Sequence, residues 1–339
     1  MSRRRARLVC SLLTVATSAW AQQIQWRDAS PHKTTFVEVE NDVRLEVLDW
    51  GGSGPALMLL TGLGDSVHVF DDVAPMLATR YRVVGVNRRG HPGSSAPATG
   101  YDSARLAEDV VRVMDAVGLP RPIVVGHSYA GEEMHVLGAR YPMRIAALVY
   151  VDAAFDRGDA FEPYEKLLPT FPSAPRPQPA DLASFDAVRG YLTRTQGPQG
   201  PEARLRARWM ANPDGTIRGP WAPEPQVFQG FSAESKAIVA AYHPDRIRVP
   251  ALALYAVPES ASELMRPWYD ATDPTLKERV ERLNQLNREN VARHEKWFAA
   301  FSEQGRIAEV PGGHDLFVAN PREVILQLNA FVSSLPSTH

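Results

Sequence analysis

Ile123-Val124-Val125-Gly126-His127-Ser128-Tyr129-Ala130-Gly131 reads as a short apolar strand that runs into Gly-His-Ser and then into a helix. That context gives one serine a reason to be reactive. A strand-to-helix turn lifts the Ser128 hydroxyl above the sheet, and the helix start beside it presents backbone N–H groups with no intrahelical partner. Small residues on either side of the turn let strand and helix pass closely. In Gly126-His127-Ser128-Tyr129-Ala130 the fifth place holds alanine rather than a second glycine, and Gly131 follows one place later.

Working outward, the same strand character recurs. Ala56–Leu60, Tyr81–Val86, Ala146–Val151 and Ala251–Tyr255 are short and almost continuously apolar, as expected of parallel strands covered on both faces. Phe36–Glu40 and Val43–Asp49 alternate instead, with Asn41-Asp42 between them, which predicts an antiparallel hairpin with one wet face. Helical patterns separate the apolar runs: Ala104–Val117, Tyr129–Tyr141 and a long helix from Asp273-Pro274 whose stripe includes His294, read as a packed histidine. A terminal helix follows Asn320-Pro321-Arg322-Glu323, a cap, a first-turn proline and a capping-box glutamate. The expected fold class is α/β, a mostly parallel central sheet with helices on both faces. Residues 155–248 break the rhythm with a proline-rich stretch and short helices (184–195, 201–210), so they read as an inserted, mainly helical cap. Residues 34–154 and 249–335 then form the core.

Serine needs a base, and histidine suits that role near neutral pH. His314 in Pro311-Gly312-Gly313-His314-Asp315 follows a short apolar run and precedes the terminal helix, on the sheet edge expected for Ser128. His127 points away from its neighbour and reads as a positioning residue. His68 and His91 lie on loops where they can line a pocket. A carboxylate should fix the imidazole tautomer. Glu259, just beyond the strand Ala251–Tyr255, is the expected acid, and Asp152, at the end of Leu148–Val151, is the alternative. Asp156 and Asp315 rank lower. The backbone N–H groups of Leu63, in Thr61-Gly62-Leu63-Gly64, and of Tyr129 are the expected oxyanion donors. The glycines of that loop lack a Gly-Lys-Ser/Thr or dinucleotide spacing, and the sequence holds no His-Glu-x-x-His or other metal-ligand motif. The design calls for no cofactor and no metal.

The first 21 residues read as a signal peptide: Arg3, Arg4, Arg5 and Arg7, an apolar run from Leu8 to Ala19, and Ala19-Trp20-Ala21 as a cleavage site. The run is too short to span a bilayer. The expected mature chain starts at Gln22, has 318 residues and a formal charge of −6, and has lost Cys10, the only cysteine. It has no disulfide and no thiolate, and its mild acidity argues against nucleic-acid binding through phosphates. The expected location is periplasmic or secreted, with no integral membrane segment after cleavage.

Together these residues resemble the alpha/beta-hydrolase superfamily, in particular its cap-bearing bacterial serine esterase-like members. The resemblance spans most of residues 34–335. Thr61-Gly62-Leu63-Gly64 is similar to the family's His-Gly oxyanion loop, with Thr61 in place of histidine. Asn87-Arg88-Arg89-Gly90-His91-Pro92-Gly93-Ser94-Ser95 is similar to its Asp-x-Arg-Gly-x-Gly-x-Ser loop, with Asn87 in place of the acid and Pro92 interposed. Ser128, Glu259 and His314 match the nucleophile, the acid after the seventh strand and the base, although the family more often has aspartate as the acid. The resemblance implies an acyl-enzyme mechanism on a small-molecule acyl substrate. Serine disfavours epoxide and haloalkane hydrolysis, for which this superfamily uses aspartate. A small or medium ester is the expected substrate, and Phe161, Tyr164, Phe171, Tyr191, Trp209, Trp221 and Phe228 suggest a hydrophobic one. Thioesterase, amidase, carbon–carbon hydrolase and cofactor-free perhydrolase chemistry stay open, as does a non-catalytic binding protein. Oligomeric state is not legible.

Overall fold

A computed structural model describes residues 26–157, 162–241 and 246–336. The expected signal peptide therefore lies outside the described residues. The strands are β1 (Lys33–Glu40), β2 (Val43–Gly51), β3 (Ala56–Leu60), β4 (Arg82–Val86), β5 (Ile123–His127), β6 (Ala147–Val151), β7 (Trp209–Ala211), β8 (Ile217–Pro220), β9 (Ala251–Val257) and β10 (Gly305–Pro311). The helices are α1 (Ala74–Leu77), α2 (Ser103–Ala116), α3 (Ala130–Arg140), α4 (Glu162–Leu167), α5 (Phe185–Gln196), α6 (Glu202–Arg208), α7 (Pro225–Ala241), α8 (Pro274–Phe301), α9 (Leu316–Ala319) and α10 (Pro321–Ser333).

Eight strands form one sheet in the order β1-β2-β4-β3-β5-β6-β9-β10. The alternating pair β1 and β2 forms the antiparallel hairpin, and β2 pairs antiparallel with β4; every later neighbour is parallel. The apolar runs become the buried middle: every residue of β5 and β6 is buried. One apolar layer, including Met58, Val124, Leu148 and Tyr150, packs against Val113 and Met114 of α2, Leu137 of α3 and Phe298 of α8. The other, including Leu57, Val125, Val149 and Leu254, packs against Ala74 and Leu77 of α1 and Leu328 and Phe331 of α10. At roughly 25 cal/mol per Å² of apolar surface, these two layers dominate the stability. After β3 the chain crosses to β4 on one side and then returns to β5 on the other. That reversal leaves a crevice at the carboxyl ends of the central strands, where ligands of open α/β sheets bind.

Two local expectations are corrected, and one element is added. Asn320 precedes α10, but the capping box does not close. Asn320 Nδ2 donates to the Pro311 carbonyl, and Glu323 accepts from Gln327 Nε2 instead. The segment read as helical to Met210 ends at Arg208 and turns into the hairpin β7–β8. Asn212-Pro213-Asp214-Gly215 is its turn, with Asp214 Oδ1 accepting from Thr216 N at 2.9 Å, and the Asp-Gly pair was the available sequence signal. The 17-residue α7 was also not anticipated. On α8, His294 is buried as expected, and its Nδ1 accepts from Asp156 N at 2.9 Å.

Candidate active site

The carboxyl ends of β3, β5, β6 and β10 meet at one rim, and each contributes a segment of the site. Ser128 follows β5 directly and has φ 54°, a left-handed backbone that costs a non-glycine residue about 1–2 kcal/mol. Its surroundings enforce that turn. The Ser128 carbonyl accepts from Gly131 N at 3.0 Å. A methyl group on Gly131 would overlap the Ala153 carbonyl oxygen, and one on Gly126 would collide with Met134 Sδ and the Ala130 methyl. Gly131 thus lets α3 abut the chain leaving β6. Alanine is accepted at 130 because Gly126 leaves room for its methyl group.

Three polar side chains converge here. His314 Nε2 lies 2.9 Å from Ser128 Oγ, and His314 Nδ1 lies 2.6 Å from Asp152 Oδ2. The second oxygen of Asp152 is engaged as well, with Ala256 N donating to Oδ1 at 3.0 Å. Asp152, like Ser128, has positive φ, at 45°. Burial lowers the His314 pKa, but the hydrogen bond and charge of Asp152, with Asp315 behind it, outweigh burial and raise it above the ordinary value. His127 does not touch the serine hydroxyl: its Nε2–H donates to the His314 carbonyl at 2.9 Å and so positions the loop.

Glu259 is not brought to this cluster. Just beyond Val257, the last residue of β9, the chain turns away, and Glu259 N donates to the Glu263 side chain at 3.2 Å, in an exposed turn. Asp152, the alternative named from sequence, stands against His314 in its place. The reason is register: Val151 pairs with Leu254, so residue 152 leaves the sheet beside the middle of β9 and is reached by the Ala256 amide.

The Thr61–Gly64 loop leaves β3 against the serine turn, and a methyl group on Gly62 would sit 3.2 Å from both His127 Nδ1 and Ser128 Cβ. Among the described residues, no hydrogen-bond acceptor stands against the Leu63 or Tyr129 N–H. The 87–95 loop holds this loop from behind. Arg88 forms a buried ion pair with Glu133 and donates to the Thr61 carbonyl at 2.9 Å. His91 Nε2 accepts from Gly64 N at 2.9 Å, and burial with the Arg88 charge pushes its pKa down to about 3, so it is neutral. His91 therefore supports the loop rather than lining the cavity. His68 lies elsewhere, against Asp71 at 2.8 Å. Asn87, in the acid's place, accepts from Val67 N at 2.7 Å and donates to Glu46 Oε2 at 2.5 Å, two roles a carboxylate cannot combine.

A cavity of about 550 Å³ opens over Ser128 and His314, and Gln196, Gln199, Arg208, Glu263 and Arg266 give it a polar wall. Arg204 of α6 joins the 155–248 excursion to the site, with Nε 2.9 Å and Nη2 2.7 Å from the two oxygens of Asp65, and Nη2 2.9 Å from Asp315 Oδ2. These carboxylates raise the Arg204 pKa against burial. Of the aromatic residues expected over the site, none of the described ones lines this cavity. Tyr191, Trp209 and Trp221 line an adjoining one of about 360 Å³ that shares Arg204 and Arg208, and Phe161 lies outside the described residues. The sequence reading missed Arg204, Arg208 and Arg266, which carry no motif.

Residues 55–220 match the family model described as alpha/beta hydrolase fold. Over 107 residues the chain is 37% identical to a fluoroacetate dehalogenase of Burkholderia sp, which covers 30% of this chain and 35% of that protein. It is 30% identical over 101 residues to a 2-(acetamidomethylene)succinate hydrolase of Mesorhizobium japonicum, covering 30% of this chain and 36% of that protein. The matches thus span about a third of these relatives. A crystal structure of E-2-(acetamidomethylene)succinate hydrolase superposes with a TM-score of 0.63 at 19% identity, over 89% of this chain and 100% of that one. A membrane phospholipase A structure gives 0.57 at 21% identity, over 91% and 88%. With its sheet order, its serine turn and these matches, the chain has the alpha/beta-hydrolase fold.

Proposed function

We propose that the chain is a serine hydrolase that cleaves a small or medium carboxylic ester through an acyl-enzyme. The observation that carries this reading is the continuous relay from Ser128 Oγ to His314 at 2.9 Å and from His314 to Asp152 at 2.6 Å. Asp152 holds the imidazole with its proton on Nδ1, so Nε2 offers a lone pair to the serine hydroxyl. His314 takes the Ser128 proton as Oγ attacks the ester carbonyl, and the oxyanion is met by the Leu63 and Tyr129 N–H groups. Each such donor is worth roughly 3–4 kcal/mol when aimed at the developing charge. His314 then gives its proton to the leaving alkoxide, and the same cycle with water releases the acid. Dehalogenase or epoxide chemistry is not carried over from the relatives, because the turn bears serine.

The substrate reading shifts from the purely hydrophobic ester expected from sequence. Arg208 and Arg266 in the wall of the cavity over Ser128 favour a polar or anionic group, and the adjoining aromatic cavity favours an apolar one on the same molecule. Residues 155–248 act as a cap, through Gln196, Gln199 and Arg208. We also propose export through residues 1–21, checked by the amino terminus of the periplasmic or secreted protein, expected at Gln22.

The test is a fluorophosphonate label followed by a panel of p-nitrophenyl esters. Labelling at Ser128 and ester turnover, both lost in Ser128→Ala, are expected. Turnover that survives Ser128→Ala defeats the serine mechanism. An unlabelled protein with no turnover across the panel favours a binding role.

A further inference from the structure

Away from the serine turn, four side chains from two distant stretches meet. Asp28 and His32 come from the segment before β1, and His68 and Asp71 come from the 3-10 turn Val67–Phe70 and its end. One donor atom from each lies within 4.8 Å of all the others. His32 Nε2 is 3.0 Å from Asp28 Oδ2 and 3.7 Å from Asp71 Oδ1, and His68 Nδ1 is 2.8 Å from Asp71 Oδ2 and 3.4 Å from Asp28 Oδ2. A tetrahedral zinc ion bound at about 2.0–2.2 Å sets its ligand atoms about 3.3–3.5 Å apart. The four measured edges straddle that spacing. Asp71 is buried and His32 half-buried, with side chains 4% and 7% exposed, and among the described residues no lysine or arginine pairs with either carboxylate.

We propose that Asp28, His32, His68 and Asp71 form a closed four-ligand site for a zinc-class divalent cation. With both imidazoles in the neutral form that metal ligation requires, the two carboxylates give the set a charge of −2 that a dication cancels. Mixed nitrogen and oxygen donors suit zinc, whereas calcium and magnesium take oxygen. Supporting groups orient the ligands, as metal sites require. Thr34 Oγ1 is 3.4 Å from His32 Nδ1, Ser30 Oγ donates to Asp71 Oδ1 at 3.0 Å, and Trp50 Nε1 donates to Ser30 Oγ at 3.2 Å. Four protein donors leave no open position, so the ion's role is structural. It ties residues 28–32 to the turn that follows the Thr61–Gly64 loop, and thereby steadies the loop beside Ser128.

The test uses the untagged full-length protein, stripped with a chelator and titrated with zinc chloride by calorimetry and with cobalt chloride by visible absorption. One equivalent of zinc, intense tetrahedral cobalt bands and a rise in melting temperature are expected. His68→Gln should abolish the cobalt bands. Asp28→Asn, at the more exposed ligand, keeps the test open if the histidine variant does not fold, and should weaken zinc by at least about tenfold. Binding well below one equivalent, or zinc affinity within about twofold of the parent in Asp28→Asn, overturns the site. The alternative, a proton-bridged histidine–aspartate cluster, predicts no zinc effect on melting.

Discussion

Replacing Asp152 by asparagine changes one atom and should nearly silence the enzyme. The Ala256 N–H already donates to Oδ1 at 3.0 Å, so an amide at this position keeps its oxygen there and turns its NH₂ toward His314. Nδ1 must then present a lone pair, and the ring proton moves to Nε2, where it faces Ser128 Oγ. A ring in that tautomer cannot accept the serine proton. The loss expected for such a change in a Ser-His-Asp relay is about 10⁴-fold in kcat, or about 5 kcal/mol. Glu259→Gln, in an exposed turn, should leave kcat within about twofold, as surface substitutions do. Steady-state hydrolysis of p-nitrophenyl butyrate decides it, with a circular-dichroism melt confirming that both variants fold. A kcat for Asp152→Asn within tenfold of the parent, or a larger loss in Glu259→Gln, refutes the assignment of the acid.

Four further outcomes follow. The acid limb of kcat/KM should have an apparent pKa above 6.5, since His314 must be neutral to act as base and Asp152 raises its pKa; a limb below 6.5 contradicts this. Ser128→Gly should abolish fluorophosphonate labelling yet raise stability by about 1 kcal/mol in denaturant melts, because glycine accepts φ 54° without strain. Arg204→Met, which leaves buried Asp65 with only Arg208 Nε at 3.9 Å, should cost up to about 3 kcal/mol of stability and lower kcat together; an unchanged melt counts against the α6 tie. Arg266→Ala should raise KM about tenfold for an ester bearing a free carboxylate, about 1.4 kcal/mol, and leave a neutral ester of the same size unchanged.

The sheet was legible because periodicity reports burial. Strands buried on both faces, such as Val124 and Val149, read as apolar runs, and the wet hairpin 36–49 reads as alternation. Ser128 and His314 were legible because strand, turn and helix leave local signatures around them. The acid was not, since Asp152 and Glu259 both lie just past neighbouring strands, and only the offset between β6 and β9 decides which one faces the imidazole. Arg204 and the Asp28–His32–His68–Asp71 cluster were illegible for the same reason: their partners lie 139 and about 40 residues away in sequence. The absence of a contiguous metal motif in the sequence said nothing about donors gathered by folding.

Because the imidazole leans on the exit of β6, the stretch after Val257 owes no duty to proton movement. Glu263 and Arg266, on the stretch between Pro258 and the Asp273 cap of α8, can be recharged or exchanged as a mouthpiece, changing which molecules are admitted while the reacting groups stay where they are.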